Sequence, residues 1–185
     1  MPCMNEPGDS ALQSAATDSA ADSEPPERLA IAIVAEAGDW SSFPSLEARI
    51  MEAASALSMH PRCKRARGAE ATIVLADDEL VRGLNATYRG QDKATNVLSF
   101  PFGASSPGQL GLGDVVLAVE TIAREAEEQK TPPVHHLQHL VVHGLLHLLG
   151  FDHDNDAQAE DMEAVEIEIL AKVGVADPYA SAELA

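Results

Sequence analysis

The sequence predicts an α+β or α/β sandwich-like domain in which a small mixed β-sheet is packed with helices. Short apolar, β-branched runs are interspersed with amphipathic segments of helical period. The connections between the runs are long enough for crossovers, which favours a sheet carrying helices. Hydrophobic residues make up 45% of the chain but aromatic residues only 4%. The core must therefore consist mainly of Ala, Val, Leu and Ile.

One domain is predicted at residues 29–180, between an extension at residues 1–28 and a short tail at 181–185. The extension mixes Ala, Ser, Pro, Asp and Glu without hydrophobic periodicity, so it cannot bury enough apolar area to offset the entropy of ordering. We therefore expect it to be disordered. No run is apolar and long enough for a membrane span, and the start does not resemble a secretion signal. We expect a cytoplasmic protein with no membrane partner.

The first half of the domain is predicted to repeat a strand followed by a helix. An apolar run at residues 29–36 predicts the first strand, and residues 45–56 follow with apolar side chains on one helical face. A β-branched run at residues 71–76 predicts the second strand. The next helix is expected at residues 77–88, because Asp77 is a good N-cap and is followed by two acids that suit a first turn.

The second half is predicted to hold two strands and three helices. Residues 95–102 and 114–119 have strand character and are separated by a Gly, Ser and Pro-rich loop at 103–113. Helical spacing then predicts the last elements, with Pro suited to a first turn and Gly150 suited to a C-terminal stop. These helices are expected at residues 120–129, 133–149 and 156–173.

The charge of the chain argues against a protein that coats nucleic acid non-specifically, and no DNA partner is expected. The formal net charge is −18, whereas phosphate contacts need a basic surface. Seven of the 12 Lys and Arg residues nevertheless lie between Arg62 and Lys93. They form either one side of an ordinary solvated surface or a basic face for an anionic partner. The two cysteines, Cys3 and Cys63, are too few for a disulfide framework or a cysteine zinc cluster.

Three histidines have the spacing of a metal site. His143 and His147 lie four residues apart in a predicted helix, so their rings share one face. A left-handed turn at Gly150 would bring His153 towards the same point. Three imidazoles leave the fourth position of a zinc ion to water, whose pKa falls from about 15.7 to about 7. The sequence therefore predicts a catalytic metal site, and the alternative is that these histidines only decorate a partly buried helix.

Neighbouring polar residues are given lesser roles. His139 continues the four-residue spacing but is rotated away from the ion, so we expect it to support the ligands. Asp152 and Asp154 flank the third ligand, and they either orient it or accept a proton, or are solvated turn residues. The remaining histidines, His60, His135 and His136, are expected on the surface, and core packing is expected for Phe100 and Phe102 in preference to base stacking.

The histidine spacing also matches the long zinc-protease motif with one substitution. Gly144 stands where the protease motif has its glutamate general base. Without that carboxylate, peptide hydrolysis lacks its usual proton acceptor. A metalloprotease is therefore the less favoured interpretation of the motif.

Several short blocks of residues follow one another in order between about residue 75 and 179. They are Leu84-Asn85, Tyr88-Arg89, Lys93, residues 95–102, Gly113-Asp114, the histidine motif, Met162-Glu163 and Glu166. Taken together, these blocks resemble the YbeY family of bacterial endoribonucleases, which act in ribosomal RNA maturation. The resemblance implies a zincin-like fold, one Zn²⁺ ion with the native metal left open, and cleavage of single-stranded RNA in small-subunit rRNA processing and ribosome quality control. It also implies rRNA and the small ribosomal subunit, or its assembly factors, as partners.

The resemblance carries residue roles as well. His143, His147 and His153 fall on the family's metal ligands, with His147 also counted as catalytic, and Arg89 falls on a basic residue beside the site. An arginine fork suits a phosphate group, and the alternative is that Arg89 is a cation that favours the dipole at the end of a helix. An alternative function is a ribosome-assembly partner whose metal is mainly structural.

Overall fold

Residues 28–103 and 111–180 are described by the computed structural model of the chain. They form an α+β fold, as predicted, in which one four-stranded sheet carries five α-helices. The strands are β1 (Ala30–Ala35), β2 (Glu70–Ala76), β3 (Val97–Pro101) and β4 (Gly111–Ala118). The helices are α1 (Leu46–Met59), α2 (Asp78–Arg89), α3 (Val119–Glu128), α4 (Pro133–Leu149) and α5 (Asp156–Lys172), with a 3₁₀ turn at Lys64–Ala66. Residues 1–27 of the predicted disordered extension, the tail at 181–185 and residues 104–110 of the predicted loop lie outside the described residues.

The sheet is mixed, with the strand order β1-β2-β4-β3. Strands β1, β2 and β4 run parallel, and β3 is antiparallel to β4 at one edge. The pairing of β2 with β4 shifts by one residue at Leu112, because Glu70 pairs with Gly111 whereas Ala71 pairs with Gly113. This arrangement places β3 at the edge of the sheet next to α4.

Strand β4 begins three residues earlier than the sequence predicts. Its first residues are expected in the glycine-rich loop, because glycine is common in turns. Gly113 has a φ of 143°, and a Cβ there would lie 2.2 Å from the carbonyl oxygen of Phe100. The glycine therefore allows β3 and β4 to approach closely.

Two helical layers cover the sheet. The larger core lies between one face of the sheet and helices α1 and α4, and α5 packs on α1 and α4. Helix α2 covers part of the opposite face through Val81, which packs with Leu98 and Val116. The buried hydrophobic side chains are almost all Ala, Val, Leu and Ile, as the composition predicted. Helix α4 is therefore packed between the sheet and α5, and this packing restricts the movement of the side chains that the helix carries.

Helix ends agree with the predicted signals. The Asp77 carboxylate accepts a hydrogen bond from Leu80 N at 2.8 Å and caps α2. Pro133 is the first residue of α4, and Gly150 ends that helix with a φ of 95°. None of the helices in the described parts of the chain has the length and apolar character needed to cross a membrane.

Two histidines predicted on the surface are buried. His60 is 2% exposed, and its Nε2 lies 3.0 Å from Glu168 Oε2. His136 is 4% exposed, and its Nε2 lies 2.8 Å from Glu125 Oε2. Each prediction was wrong because carboxylates distant in sequence provide the partners that let a polar ring be buried. The prediction for Phe102 was also wrong, since its side chain is 49% exposed.

Candidate metal centre

Three histidines converge at the C-terminal end of α4. The helix supplies His143 and His147 one turn apart, and the following turn supplies His153. Their ligand atoms all lie within 4.8 Å of one another, and the Nε2 atoms of His143 and His147 are 3.1 Å apart. The structure thus brings the three predicted residues to one point, where they could hold a metal ion.

A left-handed turn at Gly150 places His153 beside the helix. Gly150 N donates to the carbonyl oxygen of His147 at 3.0 Å, and Phe151 N donates to Leu146 O at 3.0 Å. This pair of bonds closes the end of α4 and reverses the chain, as the sequence predicted from the glycine. Asp152 Oδ1 then accepts a hydrogen bond from His153 N at 2.8 Å.

Basic side chains hold this turn in place. The guanidinium carbon of Arg62 lies 5.2 Å from the centre of the Phe151 ring, and the same group pairs with both oxygens of Asp161 on α5 at 2.6 Å. Arg65 Nη1 donates to the carbonyl oxygen of Leu149 at 3.0 Å. The segment that carries His153 is therefore tied to two other parts of the fold.

Two of the three candidate ligand rings are oriented through their Nδ1 atoms. His147 Nδ1 donates to the carbonyl oxygen of Phe151 at 3.1 Å, and His143 Nδ1 donates to Glu166 Oε1 at 2.8 Å. In each ring, Nε2 is left to face the common point. A backbone carbonyl and a carboxylate are the usual acceptors behind metal-binding histidines. The donor set of three imidazole nitrogens therefore fits a borderline transition metal such as zinc, nickel or copper.

Glu166 contacts the histidine cluster, and the sequence places it in a family block without indicating its role. Its side chain is fully buried on α5, and its Oε2 lies 3.3 Å from His139 Nε2 and accepts a hydrogen bond from the Tyr179 hydroxyl. One sequence signal could have revealed this position. Glu166 falls among the apolar residues Val165 and Ile169 on the buried face of α5, where an acid needs a partner.

The surroundings shift two pKa values in directions that suit metal binding. Burial, which alone would raise the Glu166 pKa, is outweighed by hydrogen bonds from His139 and His143, and the pKa is held at about 2. Burial lowers the pKa of His147, and the nearby rings of His143 and His153 lower it further. The carboxylate is thus charged and the His147 ring neutral at neutral pH, as a ligand must be.

A cleft of about 400 Å³ opens beside the histidines. Arg89, the last residue of α2, faces this cleft together with Ser99 and Pro101 of β3. None of the ion pairs among the described residues includes Arg89. The cleft is also lined by His147, Gly150, Phe151, Asp152, His153 and Asp154. Asp152 and Asp154 are exposed.

The structure explains why glycine stands at position 144. A Cβ built there would lie 2.5 Å from Cγ1 of Val115 on β4. The hydroxyl of Ser99 also donates to the carbonyl oxygen of Gly144 at 3.1 Å. Because the helix backbone lies directly against the sheet, the glutamate of the zinc-protease motif would not fit at this position.

Comparisons with known proteins agree with the site. The family model described as endoribonuclease YbeY matches residues 39–174. A protein of Rhizobium meliloti (strain 1021) named endoribonuclease YbeY is 47% identical over 159 residues, covering 82% of this chain and 95% of its own length. One of the same name from Bradyrhizobium sp. (strain BTAi1 / ATCC BAA-1182) is 54% identical over 123 residues, or 62% and 72% of the two chains.

A solved structure shares the fold. The solution structure of TM1509 from Thermotoga maritima superposes with a TM-score of 0.52 at 21% identity, covering 83% of this chain and 92% of the other. At this identity the likeness supports the fold alone. The family model and the two relatives identify the lineage: the chain belongs to the endoribonuclease YbeY family.

Proposed function

We propose that the chain is a metal-dependent endoribonuclease that cuts single-stranded RNA in the maturation of small-subunit rRNA and in ribosome quality control. Membership of the endoribonuclease YbeY family makes it a hydrolase that cleaves RNA internally. The observation that supports the mechanism is the convergence of His143, His147 and His153 at one point, beside a cleft that Arg89 lines together with His147 and His153. Ribosomal RNA and the small subunit, or its assembly factors, are the proposed partners.

The three histidines are the proposed ligands of one ion, for which zinc is the first candidate. When bound, such an ion supplies a Lewis acid that activates water and polarises a phosphoryl oxygen. The protein holds the ligand rings in advance, because Glu166 and the Phe151 carbonyl oxygen fix the rings of His143 and His147. Nitrogen ligands alone do not select zinc over nickel or copper.

Arg89 is proposed to bind the phosphate group that is cleaved. Its guanidinium can donate two parallel hydrogen bonds to phosphate oxygens and offset the charge that develops during cleavage. As the last residue of α2, it also lies where a cation favours the helix dipole. Replacement by lysine separates these roles, because Arg89→Lys keeps the helix-end charge and loses the planar fork. We expect Arg89→Lys to melt like the wild type and to lose most of the cleavage rate.

The test of the function is cleavage of a single-stranded rRNA fragment by the wild type, His147→Ala and His135→Ala, purified identically and analysed for metal. His135 is a matched control, because it lies near the other end of the same helix and outside the histidine cluster. We expect the wild type and His135→Ala to bind metal and cut the single strand, and His147→Ala to do neither while remaining folded. Equal cleavage by all three proteins would identify a contaminant and overturn the proposal. A duplex of the same sequence tests the preference for single strands.

The assembly-partner alternative retains one supporting observation. Met51 and Met59 are exposed on α1 beside a broad groove, and methionine is common at surfaces that bind other proteins. If this alternative holds, metal removal lowers the melting temperature and weakens binding to small-subunit proteins, and the metal-loaded wild type cuts no RNA. The protease alternative lacks a carboxylate at its motif position, where Gly144 leaves no space for one.

A further inference from the structure

The C-terminal segment after α5 returns to α4, the helix that carries His143 and His147. Val175 is buried, and its N donates to the carbonyl oxygen of Leu170 at 3.1 Å, which turns the chain back at the end of α5. Tyr179 N then donates to Asp177 Oδ1 at 2.8 Å, and the Tyr179 ring lies edge-on to His139 at a centroid distance of 5.6 Å. A residue that lies beyond the 39–174 family match thus reaches the side chains behind the proposed ligands.

The Tyr179 hydroxyl meets the carboxylate that orients His143. It donates to Glu166 Oε2, and it lies 3.2 Å from His139 Nε2. The other carboxylate oxygen, Oε1, accepts the hydrogen bond from His143 Nδ1 at 2.8 Å. Because the Tyr179 hydroxyl and the His139 ring both contact Oε2, rotation of the buried carboxylate is restricted, and Oε1 stays directed at the His143 ring.

We infer that Tyr179 is a positioning residue for the metal site: its hydroxyl fixes Glu166, which holds the His143 ring with Nε2 facing the ion. The inference rests on the metal site of the proposed function. Burial and the negative charge of Glu166 raise the pKa of the Tyr179 hydroxyl, which is consistent with its remaining a donor. Hydrogen-bond partners behind a ligand typically change metal affinity 10–100-fold when removed. Because Tyr179 is one hydrogen bond further from the ion than Glu166, we expect its removal to change the metal affinity less.

Removal of the hydroxyl alone tests the inference. Tyr179→Phe keeps the ring, and Tyr88→Phe is the matched control because Tyr88 is the chain's other tyrosine and is 68% exposed. Zinc affinity is measured on the full chain by competition with a chromophoric chelator, and the visible spectrum of the cobalt-loaded protein reports ligand geometry. We expect zinc to bind about 3- to 10-fold more weakly to Tyr179→Phe, with a changed cobalt spectrum. Tyr88→Phe should match the wild type in both measurements.

A double-mutant cycle shows whether Tyr179 acts through Glu166. In a Glu166→Gln background, Tyr179→Phe should weaken zinc binding no further, because the carboxylate that it positions is gone. Additive losses would overturn the inference. Unchanged zinc affinity in Tyr179→Phe would also overturn it. So would a lower metal-free melting temperature together with an unaltered cobalt spectrum, because Tyr179 would then stabilise the fold without positioning a ligand.

Two further outcomes separate this inference from the proposed function. A stoichiometry of two ions per chain would assign Glu166, His139 and His143 to a second ion, a set whose ligand atoms also lie within 4.8 Å, and would overturn the positioning role. No zinc binding by the wild type would overturn both proposals. If the wild type binds zinc but cuts no RNA, the proposed function fails while the effect of Tyr179→Phe on zinc affinity still supports the inference.

Discussion

Replacement of Gly144 by alanine tests how closely helix α4 lies against the sheet. In an open helix position this change stabilises a protein by about 1 kcal/mol, because glycine is a poor helix former. At position 144 the new Cβ would lie 2.5 and 3.1 Å from the two methyl groups of Val115 and 3.3 Å from Ser99 Oγ. Val115 is fully buried, and rotating its side chain cannot remove both methyl contacts.

The expected result is a net loss of stability. Overpacking in a core costs about 1–3 kcal/mol, and contacts this short favour the upper half of that range. Subtraction of the helix-propensity gain leaves a loss of about 1–2 kcal/mol, which lowers the melting temperature by roughly 2–8 °C in a domain of this size. Because α4 carries His143 and His147, we also expect weaker metal binding.

A control and a rescue make the result specific. Gly83 lies on the exposed side of α2, where an added Cβ would have no neighbouring atom within 4 Å, so Gly83→Ala should raise the melting temperature. Val115→Ala removes both methyl groups, and the Gly144→Ala/Val115→Ala protein should be more stable than the sum of the single losses predicts. A melting temperature for Gly144→Ala at or above that of the wild type would refute the reasoning.

Three other predictions concern titration, reactivity and salt. Burial lowers the folded-state pKa of His147 below 6.5, so the neutral ring stabilises the metal-free fold fully above pH 6.5. This stabilisation is lost as the pH falls through the folded-state pKa. Melting temperatures recorded with chelator should therefore fall below pH 6.5, and the fall should be smaller in His147→Gln. The pKa of Glu166 is lowered from 4.5 to about 2, so this residue changes the stability only below pH 4.5 and does not contribute to a fall that begins at pH 6.5. Burial raises the Cys63 pKa to about 11, so a Cys3→Ser protein should resist iodoacetamide at pH 8 until it is unfolded. If about two cations contact the RNA strand, affinity should fall roughly 7-fold between 50 and 200 mM salt, and salt-independent binding would contradict a phosphate-contacting Arg89.

Local spacing was sufficient to predict the central part of the site. The pair His143 and His147 needs only the helical repeat, and the left-handed Gly150 needs only the chain reversal that glycine favours. Both features depend on neighbours within a few residues, so they are readable without knowledge of the fold. The same holds for the Asp77 cap of α2.

Contacts between distant segments were the part that the sequence could not supply. Glu166 is 23 residues from His143, and it becomes a partner of that ring only because α5 packs against α4. His60 and His136 appeared to be surface residues for the same reason, since their carboxylate partners come from α5 and α3. Periodicity shows which face of a helix is buried, but it does not show which polar group on the packed element can form a hydrogen bond with that face.

The charge distribution shows a related limit and bears on how an acidic chain could act on RNA. The sequence places most cations between Arg62 and Lys93, yet Arg62 pairs with Asp161 and Arg82 with Asp92, so those charges are largely neutralised within the fold. Arg89 has no such partner among the described residues and faces the cleft. Asp152 and Asp154 line the same cleft as Arg89, so the charge there is mixed. Because this charge is mixed, we expect the cleft to attract the phosphate backbone of RNA only weakly.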